Sequence, residues 1–477
     1  MSHKKNKRLV FMLIPFFLLT LMPPSFANSL PVYWQGYPSF EVLTVDKNSP
    51  LEVKSEHLLF DLSKFNEYEY TITGRVTATY EMFNPADENV TVQMAFPFIG
   101  KVNNFSKDDI SILADNENVP FEIYIGESVE SYGAATDHEN ISLDILKVTE
   151  TITTGPYQGK NFSEDDRGVL YTFEVIPKNE ERMHFSVKFN ETDTNSTKIV
   201  ADGFHSFEGG ENYIEVSGWC YGKTTFEIFV LDGRSDFQIE GYTDGSHREK
   251  TDNFSYNVSE KAISVKSYIE DRIVKVINGE TEYSGIINSS ILNIDRSQIY
   301  RMFISAMDEA LTGSSFVSGY DLAAQFFVNR LIILVYSVQF QANSSKTVSV
   351  GYNTLGTMDA RKTRNPLYTF SYLLTPARYW VAFENLNIEI ITPSQAPHIV
   401  QSSIELENIR PRHYSASLAT LPENDLSFAI HANNKIKIQN TFNYRFIYSK
   451  PLTLVILMLI LFVLVTVTVL IIRKTKK

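Results

Sequence analysis

Nine histidines, at positions 3, 57, 138, 184, 205, 247, 398, 413 and 431, are the side chains best suited to moving protons or holding a metal, and they are scattered. No His-Glu-x-x-His pair occurs, so two imidazoles one helical turn apart cannot build a zinc peptidase centre. The chain also lacks a Gly-x-Ser-x-Gly elbow, a Gly-x-Gly-x-x-Gly turn and a Gly-x-x-x-x-Gly-Lys loop, so neither an elbow-type serine hydrolase nor a nucleotide-binding enzyme is indicated. The one cysteine, Cys220, lies in Gly218-Trp219-Cys220-Tyr221-Gly222 with no base nearby, and reads as a buried strand thiol. A single cysteine also excludes an intramolecular disulfide scaffold or a multi-cysteine zinc site. The densest oxygen-rich groups, Glu164-Asp165-Asp166 and Asp115-Asn116-Glu117-Asn118, lack the glycine and distal glutamate of a calcium loop and read as solvated turns. Two acids from separated strands could still make a glycosidase that no linear motif reveals. Tyr33, Trp34, Tyr379 and Trp380 have faces that stack on sugar rings, although core packing is the usual fate of aromatics in a β-rich chain. No catalytic, cofactor-binding or metal-ligating residue is assigned, and no cofactor is expected.

The elements that must position these side chains are mostly strands. Val76, Ala78, Tyr80 and Met82 alternate with polar residues, and after Asn84-Pro85-Ala86-Asp87-Glu88-Asn89 the alternation resumes at Val90, Val92, Met94 and Phe96. This pattern predicts a hairpin, because period two marks strands with one buried face and the Pro/Asx cluster suits a turn. Further strands are expected at 121–125, 171–175, 183–189, 226–230, 263–269, 368–374, 386–390 and 426–430. Residues 171–175 with 183–190 share a plan with 336–340 and 348–353, as if two related hairpins occurred. A helix is expected near 295–312, where Ile299, Met302, Phe303, Ala306, Met307, Ala310 and Leu311 form one apolar face for packing on a sheet and Gly313 can cap the end. A weaker helix is expected near 140–148. The fold class is therefore mainly β: two β-sandwich-like ectodomain units with one or two short helices, plus a single C-terminal transmembrane helix. The expected division is 28–198 for an N-terminal β-sandwich and 199–443 for a second β-rich domain, with the boundary near the polar run 191–198.

The two ends carry the topology. Lys4, Lys5, Lys7 and Arg8 precede an apolar run from Leu9 to Met22 interrupted by Pro15, the pattern of a signal peptide over 1–27 with cleavage between Ala27 and Asn28. Leu452 to Ile472 contains no charge, and its helix would be roughly 31 Å long, the thickness of a bilayer's hydrocarbon core. Arg473, Lys474, Lys476 and Lys477 form a cytoplasmic tail over 473–477. The lipid bilayer is thus one partner, with the ectodomain outside the cell membrane and the C-terminus cytoplasmic. The formal net charge is −13. Between 28 and 451 there are 35 basic and 56 acidic residues, a net of −21, which argues against nucleic acid as a partner. A large exported region with one thiol suits a Gram-positive bacterium, while Asn-x-Ser/Thr sequons at 89, 104, 140, 161, 190, 195, 253, 257, 288 and 343 keep a eukaryotic glycoprotein open.

The stretch Val76 to Pro85, followed by Met94-Ala95-Phe96-Pro97-Phe98, resembles the opening of vault/inter-alpha-trypsin type β-sandwich domains over about residues 30 to 170. It is also similar to the N-terminal region of uncharacterised membrane-anchored surface proteins of Firmicutes, a likeness that continues at Asp46 to Pro50 and at Tyr372-Leu373-Leu374, Trp380 and 386–390. The resemblance implies a sandwich and a surface role and transfers no active site. No Asp-x-Ser-x-Ser adhesion motif follows it. The function expected is a single-span cell-surface protein with a non-enzymatic binding or scaffolding ectodomain, contacting an envelope or membrane protein. The alternative is a cell-envelope hydrolase whose carboxylates converge only in the fold, recognisable by two acids facing each other across an aromatic-lined cleft.

Overall fold

The computed structural model describes residues 32–45, 49–63, 70–129, 151–152, 157–178, 181–190, 197–210, 212–231, 236–280, 291 and 294–437. The signal peptide, the weaker helix near 140–148, the span 452–472 and the basic tail lie outside the described residues. Among the described residues no helix is long and apolar enough to cross a membrane.

Among the described residues the chain is mainly β, arranged in five sheets. Its longest sheet runs in the order Glu407–Arg410, His413–Leu418, Leu386–Ile391, Glu52–Asp61, Thr73–Asn84, Ser344–Leu355, Ser111–Ala114 and Glu117–Asn118, with Ala382–Phe383 beside Glu52–Asp61. Against it pack a six-stranded sheet (33–34, 357–359, 367–373, 426–431, 398–402, with 39–40) and a four-stranded sheet (43–44, 90–101, 329–340, 122–128). The shared core takes Leu58, Phe60, Val76, Ala78, Tyr80 and Met82 from the long sheet, and Phe96, Leu334, Tyr336, Tyr372 and Phe428 from those opposite. Edge-on rings bridge the layers: Phe60 stands 5.2 Å from Phe428 and 6.1 Å from Tyr372.

Between 129 and 329 the chain leaves this body and builds another. A five-stranded sheet (254–264, 167–177, 224–231, 199–202, 316–318) faces a four-stranded one (206–209, 213–220, 183–190, 237–242). Phe173, Phe185, Val187, Phe189, Phe226 and Ile228 fill the space between them. Antiparallel ladders cross the expected 198/199 division: Thr73–Asn84 pairs with Ser344–Leu355, Val90–Lys101 with Asn329–Phe340, and Met183–Asn190 with Tyr213–Cys220.

The expected hairpin at 76–96 is instead an arch. Thr73–Asn84 belongs to the long sheet and Val90–Lys101 to the opposite four-stranded one, so the 85–89 turn carries the chain from one layer to the other. The same holds for the two look-alike pairs: Asn329–Phe340 and Ser344–Leu355 lie in different layers of the body, and Arg167–Pro177 and Met183–Asn190 in different layers of the inserted unit. Alternation reports a buried face and not a pairing partner, so arch and hairpin read alike. The two arches of the body stack. Asn84 Nδ2 donates to Glu88 O and Gln341 O, both at 2.9 Å, Asn343 N donates to Ala86 O at 3.0 Å, and Ala342 N to Asn89 Oδ1 at 3.0 Å.

Among the described residues three complete α-helices join the units. Helix α1 (Val265–Ile277) grows straight out of Phe254–Ser264, which corrects the strand expected over 263–269. Ser264 caps it by accepting from Ser267 N, and Val265, Tyr268, Ile269, Ile273 and Val276 form a helical stripe that a seven-residue window mistakes for a strand. Helix α2 (Arg296–Gly313) buries Ile299, Met302, Phe303, Ala306, Met307 and Leu311, as its spacing predicts, and Ile125 N of the neighbouring strand donates to Gln298 Oε1. Gly313 ends this helix without adopting a left-handed φ. Helix α3 (Gly319–Ala324) starts with a Ser318/Asp321 capping box.

Candidate functional site

Two constellations bring ionisable side chains together. The first lies inside the body. Glu56 falls on the inward parity of its strand, with Leu58 and Phe60, and Glu41 enters from the adjacent segment between the short strands Ser39–Phe40 and Leu43–Thr44. Both glutamates are 0 % exposed. Tyr80 Oη donates to Glu41 Oε1 and lies 3.4 Å from Tyr372 Oη, while Tyr336 and Tyr352 are buried close by. Glu41 Oε2, both Glu56 oxygens and the hydroxyls of Tyr336 and Tyr352 make no well-formed hydrogen bond. Burial pushes both carboxyls well above the usual carboxylate range, and the neighbouring Glu41 raises Glu56 further. Two acids do face each other among aromatic rings, yet their full enclosure provides no cleft for a sugar and an attacking water.

The second constellation lies on the outer face of the inserted four-stranded sheet. Phe185, Val187 and Phe189 point into the core, so His184, Ser186 and Lys188 take the opposite face. Register sets His184 between Trp219 and Tyr242, Ser186 between Ser217 and Glu240, and Lys188 between Glu215 and Gln238. The 243–249 turn folds back over this face. Asp244 holds it by accepting from Ser246 Oγ at 2.6 Å, Arg248 N at 3.0 Å and Glu249 N at 3.1 Å, which places His247 at φ 56° with its ring stacked 4.4 Å from Tyr242.

A directed chain results. His247 Nδ1 lies 3.0 Å from Glu215 Oε1, its Nε2 lies 2.9 Å from His184 Nδ1, and Ser186 Oγ donates to Glu215 Oε1 at 2.6 Å. A carboxylate at Nδ1 assigns that proton to His247, so its Nε2 accepts from His184, whose own Nε2 is then an acceptor. Ser186 donates to the carboxylate rather than to an imidazole, so this is not a serine nucleophile with its base. Burial, then the adjacent His247 and His205, hold His184 below the usual imidazole value against the pull of Asp244 and Glu215. Beside it Trp219 meets the His184 ring edge at 4.9 Å, Arg182 lies 4.8 Å above Trp219, and Tyr221 is 69 % exposed. The face presents the half-buried Trp219, the exposed Tyr221 and the Arg182 guanidinium over a buried His184 that braces them, the equipment of a binding surface.

No family model matches the sequence, and no curated protein matches it. A solved structure from Legionella pneumophila, of a protein provisionally named for nutrient binding, is similar at a TM-score of 0.33 and 10 % identity, covering 84 % of this chain and 73 % of that one. A likeness of that size fixes neither a shared fold nor a shared ligand.

The residues singled out from sequence fall elsewhere. Cys220 is buried at the end of its strand, its Sγ 3.0 Å from Gly222 O. Asp115 and Asn116 form a hairpin turn with φ of 49° and 67°, and Asp115 Oδ1 accepts from Thr347 N. Asp166 accepts from Ser163, and Glu164 from Tyr157 N. Among the described residues no group of three or more His, Cys, Asp or Glu is placed to hold a metal. The four proposed sugar-stacking aromatics do not converge. Tyr33 lies under Arg361 beside Asp359, whereas Tyr379 and Trp380 follow Leu374, at the other end of the Leu367–Leu373 strand. Sequence reasoning missed both glutamates and the histidine chain, although inward parity at Glu56 and outward parity at His184 were available as signals.

Proposed function

We propose that this chain is a single-span cell-surface protein whose two sandwich-like ectodomain units act by binding or scaffolding, with the outer face of the inserted four-stranded sheet as the contact surface. The carrying observation is the Glu215–His247–His184 chain beside Trp219, Arg182 and Tyr221. It fixes polar groups of defined direction beside the half-buried Trp219 and the exposed Tyr221, and has Ser186 donate to the Glu215 carboxylate rather than to an imidazole. The anchor rests on the sequence alone: cleavage after Ala27, a span from Leu452 to Ile472, and Arg473, Lys474, Lys476 and Lys477 on the cytoplasmic side of a Gram-positive membrane. The partner class is an envelope or membrane protein held against the ectodomain.

The test places a photocrosslinking residue at Tyr221 in intact cells, with a second at Ile409, which is 66 % exposed on the other unit, as control. A discrete adduct at Tyr221 that weakens several-fold with Trp219→Ala or His184→Ala supports the surface. Equal, diffuse adducts at both sites refute it. Protease applied to unbroken cells should degrade the ectodomain, and sparing it would reverse the topology.

A further inference from the structure

Strand register gathers one sign of charge at one end of the main body. Leu386–Ile391 runs parallel to Glu52–Asp61, with Ile391 beside Asp61, and its other neighbour begins with His413 opposite Ile391, so the Glu407–Arg410 to His413–Leu418 turn lies at that end. Thr392 N donates to Arg412 O at 2.9 Å, and Tyr414 Oη donates to Pro397 O at 3.1 Å, so the 392–397 segment crosses to the six-stranded sheet at the same place. There His398 pairs with His431, where the last described strand finishes, and Tyr368 pairs with Ile430, which brings the 360–366 loop alongside. This end therefore collects Arg361, Lys362, Arg364, Arg410, Arg412, Lys435 and Lys437. All but Arg361 are exposed, and among the described residues only Arg361 pairs with a carboxylate, that of Asp359 at 2.7 Å. The acids near this end are Asp61, Glu389, whose Oε1 lies 3.8 Å from His413 Nδ1, and Glu407 opposite Ser415, so the cations outnumber them, and Asp108 and Asp109 flank Arg75 farther along the long sheet.

We infer that this basic end docks on anionic lipid headgroups. A region carrying a net −21 has no general reason to concentrate six exposed cations, none of them paired with a carboxylate among the described residues, where its last described strand leaves the fold. The inference rests on the anchorage proposed above, because only the residues 438–451 separate Lys437 from the apolar run at Leu452, a tether that caps the distance from this end to the membrane at about 50 Å and lets it touch. Cations that reach the surface gain from its negative potential within about a Debye length, and the gain is screened by salt.

The experiment uses the full chain reconstituted in vesicles with the ectodomain outside, either phosphatidylcholine alone or with phosphatidylglycerol. An impermeant amine reagent reports the modification rates of Lys362, Lys435 and Lys437 relative to Lys223 and Lys261 on the inserted unit. Docking predicts several-fold slower modification of the first three in anionic vesicles, reversal by high salt, and loss of Lys435 protection in a K362E/R364E/R412E variant that melts like the parent. Equal rates in both lipids overturn it, as does protection that survives charge reversal. Equal protection by soluble polyphosphate in uncharged vesicles assigns the patch to a free polyanion and overturns it too. Flotation after an alkaline wash reads the anchor separately: a chain that floats without lipid-dependent protection refutes docking alone, and one that fails to float refutes both.

Discussion

Glu41 and Glu56 pair a large desolvation cost with a simple remedy, which is to stay protonated. Their raised folded-state values mean that stability is full below the unfolded carboxyl value and is lost as pH rises through the folded one. Melting temperature should accordingly fall between about pH 5 and about pH 8. Glu41→Gln, which mimics the neutral acid, should raise stability at the alkaline end by about 1–3 kcal/mol and flatten the trend, and a steeper loss would show the acids to be ionised. A second buried contact works the other way. Arg272 is 2 % exposed and clasps Asp202 through both guanidinium nitrogens, and a Cβ at Gly319 would collide with that clasp. Asp202→Ala should cost about 3–5 kcal/mol in chemical denaturation, because it leaves a buried cation unpaired, and Gly319→Ala should destabilise for want of room. Little of this was legible beforehand. An isolated Glu beside Phe40 and Val42 looks like a strand-edge acid until the body closes over it, and His184 meets His247 only across 63 residues of chain.

At the scale of elements, the 243–249 turn is a titratable flap. His184, held below its usual value, contributes stability above about pH 6.5 that is lost as pH falls through its folded value. The groups facing it are His247 and Asp244 of the turn, Glu215 of strand 213–220, Tyr242 and Glu240 of strand 237–242, and His205. Charging His184 is opposed by its burial and by the adjacent His247, so hydrogen-exchange protection of 243–249 should drop on acidification while the body gains stability. Unchanged protection in that turn would refute the coupling of His184 to it. The stacked arches make a second element-scale prediction: Asn84→Ala, which strips two carbonyls of their donor and Ala86 N of its acceptor, should cost about 2 kcal/mol in a denaturant titration. Most of the strands expected from periodicity and the helix at 296–313 are present, whereas Glu52–Asp61 and Tyr213–Cys220 were not expected. What periodicity lacked was partnership, since the same alternation serves an arch and a hairpin, and α1 was hidden because Ile263 closes a strand while Val265 opens a helix.

For the whole molecule, the body is completed only by strands on both sides of the inserted unit. Cleavage at the exposed 221–223 turn should therefore leave two fragments that comigrate on a native gel and separate only on denaturation, and spontaneous separation would show the inter-strand ladders to be weaker than their length suggests. The same closure governs synthesis. Asn84 waits for Gln341, 257 residues later, before its carbonyl partners are complete, so the amino-terminal strands leave the ribosome with their hydrogen-bonding edges bare. The inserted unit can mature first, in order of appearance, and because Val129 N donates to Asn329 O at 2.7 Å its two ends meet, so the later body strands are delivered beside the earlier ones. Nascent chains halted before residue 329 would then carry one folded module and one sticky, chaperone-dependent remnant.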